Sequence, residues 1–294
     1  MAQAHADAEK YYVPHSSPWP IFGSITLFTV MSGAIATLDG WLPAWALIPG
    51  FVMLALLFIL WFHTVIGENQ KGMYNMAVDR SFRLGMMWFI FSEVMFFAAF
   101  FGALFYARNF SVPWLSGGGV KIFTKLLLWN DYGGVWPTNG PAAVGPRADG
   151  TFETIPAIGL PAINTAILLT SSITVTIAHH ALLTGHRTRL KIFLAATFLL
   201  GFTFVGLQAT EYHEAYSELG LQLGTGIYGS TFFMLTGFHG LHVTVGAIML
   251  TVIWFRVMKG HFTPQRNFGF EAVSWYWHFV DVVWLGLFIF VYWL

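Results

Sequence analysis

Residues 86–107 read MMWFIFSEVMFFAAFFGALFYA, twenty-two residues with a single charge, Glu93. A bilayer span needs roughly 20 consecutive apolar residues. A run this long and this apolar has no solvated face, so it cannot be an amphipathic surface helix. It reads as a transmembrane helix. Glu93 sits about midway between Arg80 and Arg108. At a rise of about 1.5 Å per residue that is about 20 Å from either, close to the bilayer centre.

The rest of the chain repeats the pattern. Of 294 residues, 56% are hydrophobic and 10% charged, against about 25% charged in a soluble domain. The missing charge is missing in blocks. Seven blocks are long enough to span: 18–38, 43–66, 82–107, 158–184, 191–212, 226–255 and 270–293. The expected fold is therefore an all-α integral membrane protein of seven transmembrane helices. Its organisation reads as an N-terminal segment 1–17, helices 1–2 within 18–66, a loop 67–81, helix 3 at 82–107, a long loop 108–157 and helices 4–7 within 158–294. The long loop, with Gly117-Gly118-Gly119 and Trp136-Pro137, reads as an ordered or semi-ordered external loop.

Lys and Arg set the orientation. One face receives Lys10, Lys71, Arg80, Arg83, Arg187, Arg189, Lys191, Arg256, Lys259 and Arg266; the other receives Arg108, Lys121, Lys125 and Arg147. Ten against four places the N-terminus and the loop 67–81 in the cytoplasm and the C-terminus and loop 108–157 outside. The net charge is zero and no basic run exists, which excludes a nucleic-acid partner. With no Cys, the chain has no disulfide, iron–sulfur cluster, C-x-x-C-H haem attachment or thiolate copper site. Residues 1–10, with Asp7 and Glu9 before any apolar run, do not read as a cleaved signal peptide.

The polar residues inside the spans are the functional candidates. An ionised carboxylate at the depth of Glu93 costs at least about 2.5 kcal/mol. Glu93 must therefore be protonated, paired, or facing a wet or headgroup-lined cavity. It is either a proton-linked carboxyl or a neutral acid in an interhelical hydrogen bond. Ala99, Ala103 and Ala107 form a small-residue stripe suited to close helix contact. His239 and His242 share one helical face at i, i+3. A metal pair is conceivable, but metal sites usually need three or four protein ligands, and Gly237 and Gly240 beside them favour helix packing. His278 and Asp281, again i, i+3, suit a mutual hydrogen bond and a structural role. Glu211, His213 and Glu214 crowd the outer end of the fifth span; such a cluster could bind a cation, but it reads rather as a solvated helix end. No set of metal ligands is complete.

Longer strings carry more information. FSEVMFF (91–97), AHHALLTGHR (178–187), QATEYHEA (208–215), YGSTFFMLTGFHGLHV (228–243) and GFEAVSWYWHFVDVVWL (269–285), with Ser17-Pro18-Trp19-Pro20, resemble subunit III of bacterial-type haem-copper cytochrome c oxidases. The resemblance covers essentially the whole chain, the long loop least. It implies two helix groups, spans 1–2 and spans 3–7, forming a V whose cleft holds phospholipid. It implies a non-redox subunit with no cofactor of its own, haem and copper lying in partner subunits I and II. It also implies a cell inner (plasma) membrane location, cytochrome c as electron donor, oxygen reduced to water in subunit I with proton pumping, and support of proton uptake. Glu93 matches the family's membrane-embedded carboxyl, which reacts with hydrophobic carbodiimides. Arg256 matches its basic residue at the inner end of the sixth span, and with His63 is the candidate for a lipid headgroup. The chain departs from the family's Arg-Asp pair at His63 and Thr64, and from a His-Thr-Pro stretch near Tyr74-Asn75-Met76. The alternatives are the equivalent quinol-oxidase subunit, typically shorter and lacking the first two spans, a haem-binding membrane enzyme using the buried His residues, and a stand-alone proton-coupled transporter, for which no inverted repeat is visible.

Overall fold

The structure, a computed structural model, describes residues 11–14 and 16–294. The N-terminal segment 1–17, Lys10 included, thus lies largely outside the described residues. Seven helices are long and apolar enough to cross a membrane, and no strand occurs among the described residues. They are α1 (Trp19–Leu38), α2 (Ile48–Gln70), α3 (Met76–Tyr106), α6 (Leu160–Leu183), α7 (Arg187–Ser217), α8 (Gly226–Met258) and α9 (Phe268–Leu287). Two short helices, α4 (Val112–Leu115) and α5 (Ile122–Leu127), lie in the loop between α3 and α6. Two π-helical turns, Ala107–Ser111 and Phe288–Trp293, extend α3 and α9.

Local chemistry fixes the ends. Pro20, Pro49 and Pro161 stand in the first turns of α1, α2 and α6, where an N–H would have no intrahelical partner anyway. Asn75 caps α3 by accepting the Val78 N–H at 3.1 Å. Asp79 in that first turn pairs with Arg83 at 2.8 Å, so the helix begins earlier than the apolar block: polarity ends a span without ending a helix. After α6 and α8 the chain turns through Gly185 and Gly260, at φ +76° and +75°. His186 N then bonds Ala181 O, and His261 N bonds Arg256 O, the bonds of a glycine-terminated helix.

The chain divides into two compact units, residues 1–84 and 85–294. In the first, α1 and α2 pack at Gly33 and Gly50, each facing backbone of the other hairpin segment so closely that a Cβ would collide. Tyr74 donates to Glu68 at 2.6 Å and Tyr12 donates to the same carboxylate at 3.3 Å. Burial, then the bond to Glu68, pushes the Tyr74 hydroxyl above its ordinary range.

The second unit is centred on Trp277, which is fully buried. Its indole N–H donates to Ser171 Oγ on α6 at 3.0 Å. Its ring fills the space left by two glycines, Gly201 on α7 and Gly246 on α8. One side chain of α9 thereby joins four spans. Trp284, two turns further along the same face, donates to Thr165 Oγ1 at 2.9 Å and meets Phe204 edge-on at 4.7 Å. Of the alanine stripe on α3, Ala107 is buried but Ala99 and Ala103 are exposed.

The 108–157 loop is ordered against the turn between α7 and α8. Glu153 N bonds Leu219 O at 2.9 Å, Tyr228 N bonds Thr138 O at 3.2 Å, and Arg147 Nη2 donates to Glu218 O. Asn139 Nδ2 closes the loop on itself through Gly150 O at 2.7 Å.

Candidate functional site

Glu93 projects from the middle of α3, and His242 is the middle residue of α8. Their side chains meet: His242 Nε2 lies 2.9 Å from Glu93 Oε2. The other imidazole nitrogen, Nδ1, lies 2.6 Å from the Phe238 carbonyl one turn earlier. The His242 and Glu93 side chains are 13% and 21% exposed, so the pair is largely but not wholly enclosed. Around it stand the rings of Phe97 at 5.0 Å, Phe96 at 6.0 Å and Tyr276, stacked at 6.3 Å. Each polar group was a candidate in the sequence; their equal depth was the signal that they could meet.

The other candidates separate. His239 is buried and bonds Val280 O through Nε2 at 3.1 Å, while Nδ1 has no partner. Its ring packs on Trp284 at 5.0 Å. The i, i+3 pair His239 and His242 thus serves two different neighbours, α9 and α3. His278 does not take the partner its spacing suggested. Its Nδ1 lies 2.7 Å from Ser172 Oγ on α6, and Asp281 is buried with Oδ1 unpartnered. An i, i+3 spacing permits contact, but the imidazole nitrogen bonds a hydroxyl on a neighbouring helix instead.

Glu211 is the correction with most consequence. It is buried, not a solvated helix end, and accepts from Tyr292 OH at 2.6 Å and Gln208 Nε2 at 3.0 Å. His213 and Glu214 beside it are exposed. Only the burying residue, Tyr292, eighty-one positions along the chain, distinguishes the three. His63, in the first unit, is exposed on α2. Arg256, in the second, is half-buried at the end of α8, its guanidinium 4.4 Å over the Phe262 ring and its Nε without a partner. No group of three or more His, Asp or Glu side chains is placed to hold a metal among the described residues.

This is a polytopic helical membrane protein with a carboxyl–imidazole pair in the middle of its second unit. The family model for cytochrome c oxidase subunit III matches residues 9–118 and 127–294. Proteins named cytochrome c oxidase subunit 3 are similar along nearly their full lengths. That of Coturnix japonica is 40% identical over 287 residues, 97% of each chain. That of Tetraodon nigroviridis is 40% identical over 295 residues, covering 99% of this chain and 98% of its own, and that of Oryctolagus cuniculus is 38% identical over 292 residues. The chain belongs to the cytochrome c oxidase subunit III family. The gap at 119–126 falls in the long loop, where the resemblance is weakest.

Proposed function

We propose that the chain works as the non-redox third subunit of a proton-pumping cytochrome c oxidase. It sits in a cell inner membrane with its N-terminus on the cytoplasmic side, against subunit I and beside subunit II. Those partners carry the haem and copper, take electrons from cytochrome c and reduce oxygen to water. This chain stabilises the active site of subunit I and supports proton uptake. The observation that carries the reading is the match over 97% of the chain to proteins of that name. The lack of Cys and of any clustered ligand set among the described residues supports the non-redox part. The Lys and Arg distribution supports the orientation.

Phospholipid binding is part of the proposal. Arg256 supplies a forked donor matched to a phosphate, its Nε is unpartnered, and Lys259 and His261 follow in the same turn. His63 is the second headgroup candidate. Affinity purification through a tag on this chain, from detergent-solubilised membranes, tests the whole. Haem absorption bands and two large partner chains are expected in the eluate, with phospholipid retained. Haem should leave with the partners when the chain is stripped from them. A chain that elutes alone, or that keeps stoichiometric haem when isolated, contradicts the proposal. Arg256→Ala is expected to lower retained phospholipid and to shorten the enzyme's working life more than its initial rate.

A further inference from the structure

A second polar site lies within the 85–294 unit, away from Glu93. It is built from Asn164 on α6, Gln208 and Glu211 on α7, and Tyr292 in the C-terminal turn. Their relative exposures are 0%, 5%, 1% and 9%. Register puts them at a similar depth. Helices α6 and α7 run antiparallel, and the Thr174 and Thr197 hydroxyls meet at 2.8 Å. Counted about three turns along each helix from that contact, Asn164 comes level with Leu207 and Gln208. The approach from α9 agrees. Trp284 bonds Thr165, the neighbour of Asn164, and its ring lies 5.8 Å from that of Tyr292. Tyr292 in turn holds Glu211.

The hydrogen-bond inventory of this cluster does not close on itself. Glu211 Oε1 accepts twice, from Tyr292 OH and Gln208 Nε2. Glu211 Oε2, Gln208 Oε1, Asn164 Oδ1 and Asn164 Nδ2 are buried with no protein partner. That leaves three oxygen atoms and one NH2 group, which carries two N–H donors. Glu211 takes part in no ion pair among the described residues. Buried polar groups are almost always hydrogen-bonded, and in a roomy polar site ordered water supplies the bonds.

We propose that Asn164, Gln208, Glu211 and Tyr292 form a binding site for ordered water. One molecule donates to Gln208 Oε1 and Glu211 Oε2 and accepts from Asn164 Nδ2. A second donates to Asn164 Oδ1. A hard cation fits less well, because it would satisfy the three oxygens but face the Asn164 amide N–H with like polarity. Water meets both signs. The consequence is a carboxyl that carries its own hydration inside the helix bundle, on the side of the membrane opposite the Arg256 turn. It is a place where a buried acid can exchange a proton without reaching bulk solvent.

Two measurements on the intact complex test this. Radiolytic labelling after rapid mixing into ¹⁸O-water should place unexchanged ¹⁶O on Tyr292 or Leu207, because bound water exchanges slowly. Oxygen of the bulk isotope only, or no labelling there, overturns the proposal. Asn164→Leu and Gln208→Leu should also be coupled: each strands groups that the shared water had served, so the fall in melting temperature of the double variant should be clearly smaller than the sum of the two. Additive falls overturn it. If either variant fails to assemble, the labelling on the unaltered complex still decides.

Discussion

Glu93 and His242 share one proton. The Phe238 carbonyl can only accept, so His242 Nδ1, 2.6 Å away, is the donor there. Nε2, at 2.9 Å from Glu93 Oε2, then has two ways to form its bond. It accepts from a protonated carboxyl, or it donates to a carboxylate as part of an imidazolium. Either way one proton lies between the two groups and the pair carries no net charge. An uncharged pair removes the expense of a lone charge at mid-membrane, which is how a glutamate is tolerated in an otherwise apolar span.

Glu93→Gln should therefore fold and assemble. An amide N–H can donate to the Nε2 lone pair, so the bond survives and only the shared proton is lost. The stability change should stay within about 1 kcal/mol, the net worth of one such bond. Labelling by a hydrophobic carbodiimide, followed by peptide mass spectrometry, should disappear at this position. Most electron-transfer activity should remain. A variant that abolishes oxygen reduction would instead make Glu93 part of the reaction.

Gly201→Ala and Gly246→Ala should each destabilise the second unit. A Cβ at Gly201 would stand 2.5 Å from the Trp277 ring, and one at Gly246 2.9 Å. Trp277 cannot yield, because its indole N–H is held by Ser171 and its ring is wholly enclosed. Overpacking of this kind costs about 1–3 kcal/mol. Thermal melting of the purified complex, read on subunit dissociation, checks it. Gly206→Ala on the same helix meets nothing and is the control.

His261 gives the turn after α8 a pH dependence. Burial, then the Arg256 and Lys259 cations, hold its imidazole below the ordinary range. The unfolded chain thus binds this proton more readily than the folded one. Its contribution is neutral above the unfolded value, about 6.5, and becomes destabilising as pH falls below it toward the lowered folded value. Lipid retention and melting temperature measured at pH 7.5 and 5.5 should differ more in the unaltered protein than in His261→Asn. Added anionic phospholipid should shrink the difference by offsetting the two cations. Equal pH sensitivity in both proteins would remove His261 from the account.

The spans were legible because each is a block of apolar residues longer than any soluble helix requires. Glu93 and His242 were legible singly, since charge and imidazole stand out in such blocks. Their pairing was not, because periodicity shows which residues share a face of one helix and says nothing about which helix that face meets. The same limit explains His278. Its spacing from Asp281 allowed a bond within α9, and Ser172, 106 residues earlier, took it. Glu211 was hidden differently. With His213 and Glu214 beside it the local pattern is that of a wet helix end, and its burial depends on the last turn of the chain.

His242 offers the sharpest test of the shared proton. In His242→Leu the carboxyl loses the only side-chain hydrogen-bond partner it has among the described residues, while the Phe238 carbonyl keeps its place in the backbone ladder of α8. The loss is therefore assigned to Glu93 alone. A buried group left without its partner costs about 1–3 kcal/mol. His242→Gln reaches the same region with an amide that can donate or accept, and should recover much of that loss. The double variant Glu93→Gln with His242→Leu should be less damaged than the two single effects predict, since an amide stranded in apolar surroundings is easier to accommodate than a carboxyl. Coupling between contacting residues of this kind runs at about 0.5–3 kcal/mol. Infrared difference spectra supply a readout that simple packing would not move. In His242→Leu the Glu93 carboxyl should show a protonated C=O band that, in the unaltered protein, lies at lower frequency where the carboxyl donates to Nε2 or is replaced by carboxylate bands where Nε2 donates. Equal melting temperatures for the Leu and Gln variants, with an unshifted band, would mean that the 2.9 Å contact carries no shared proton.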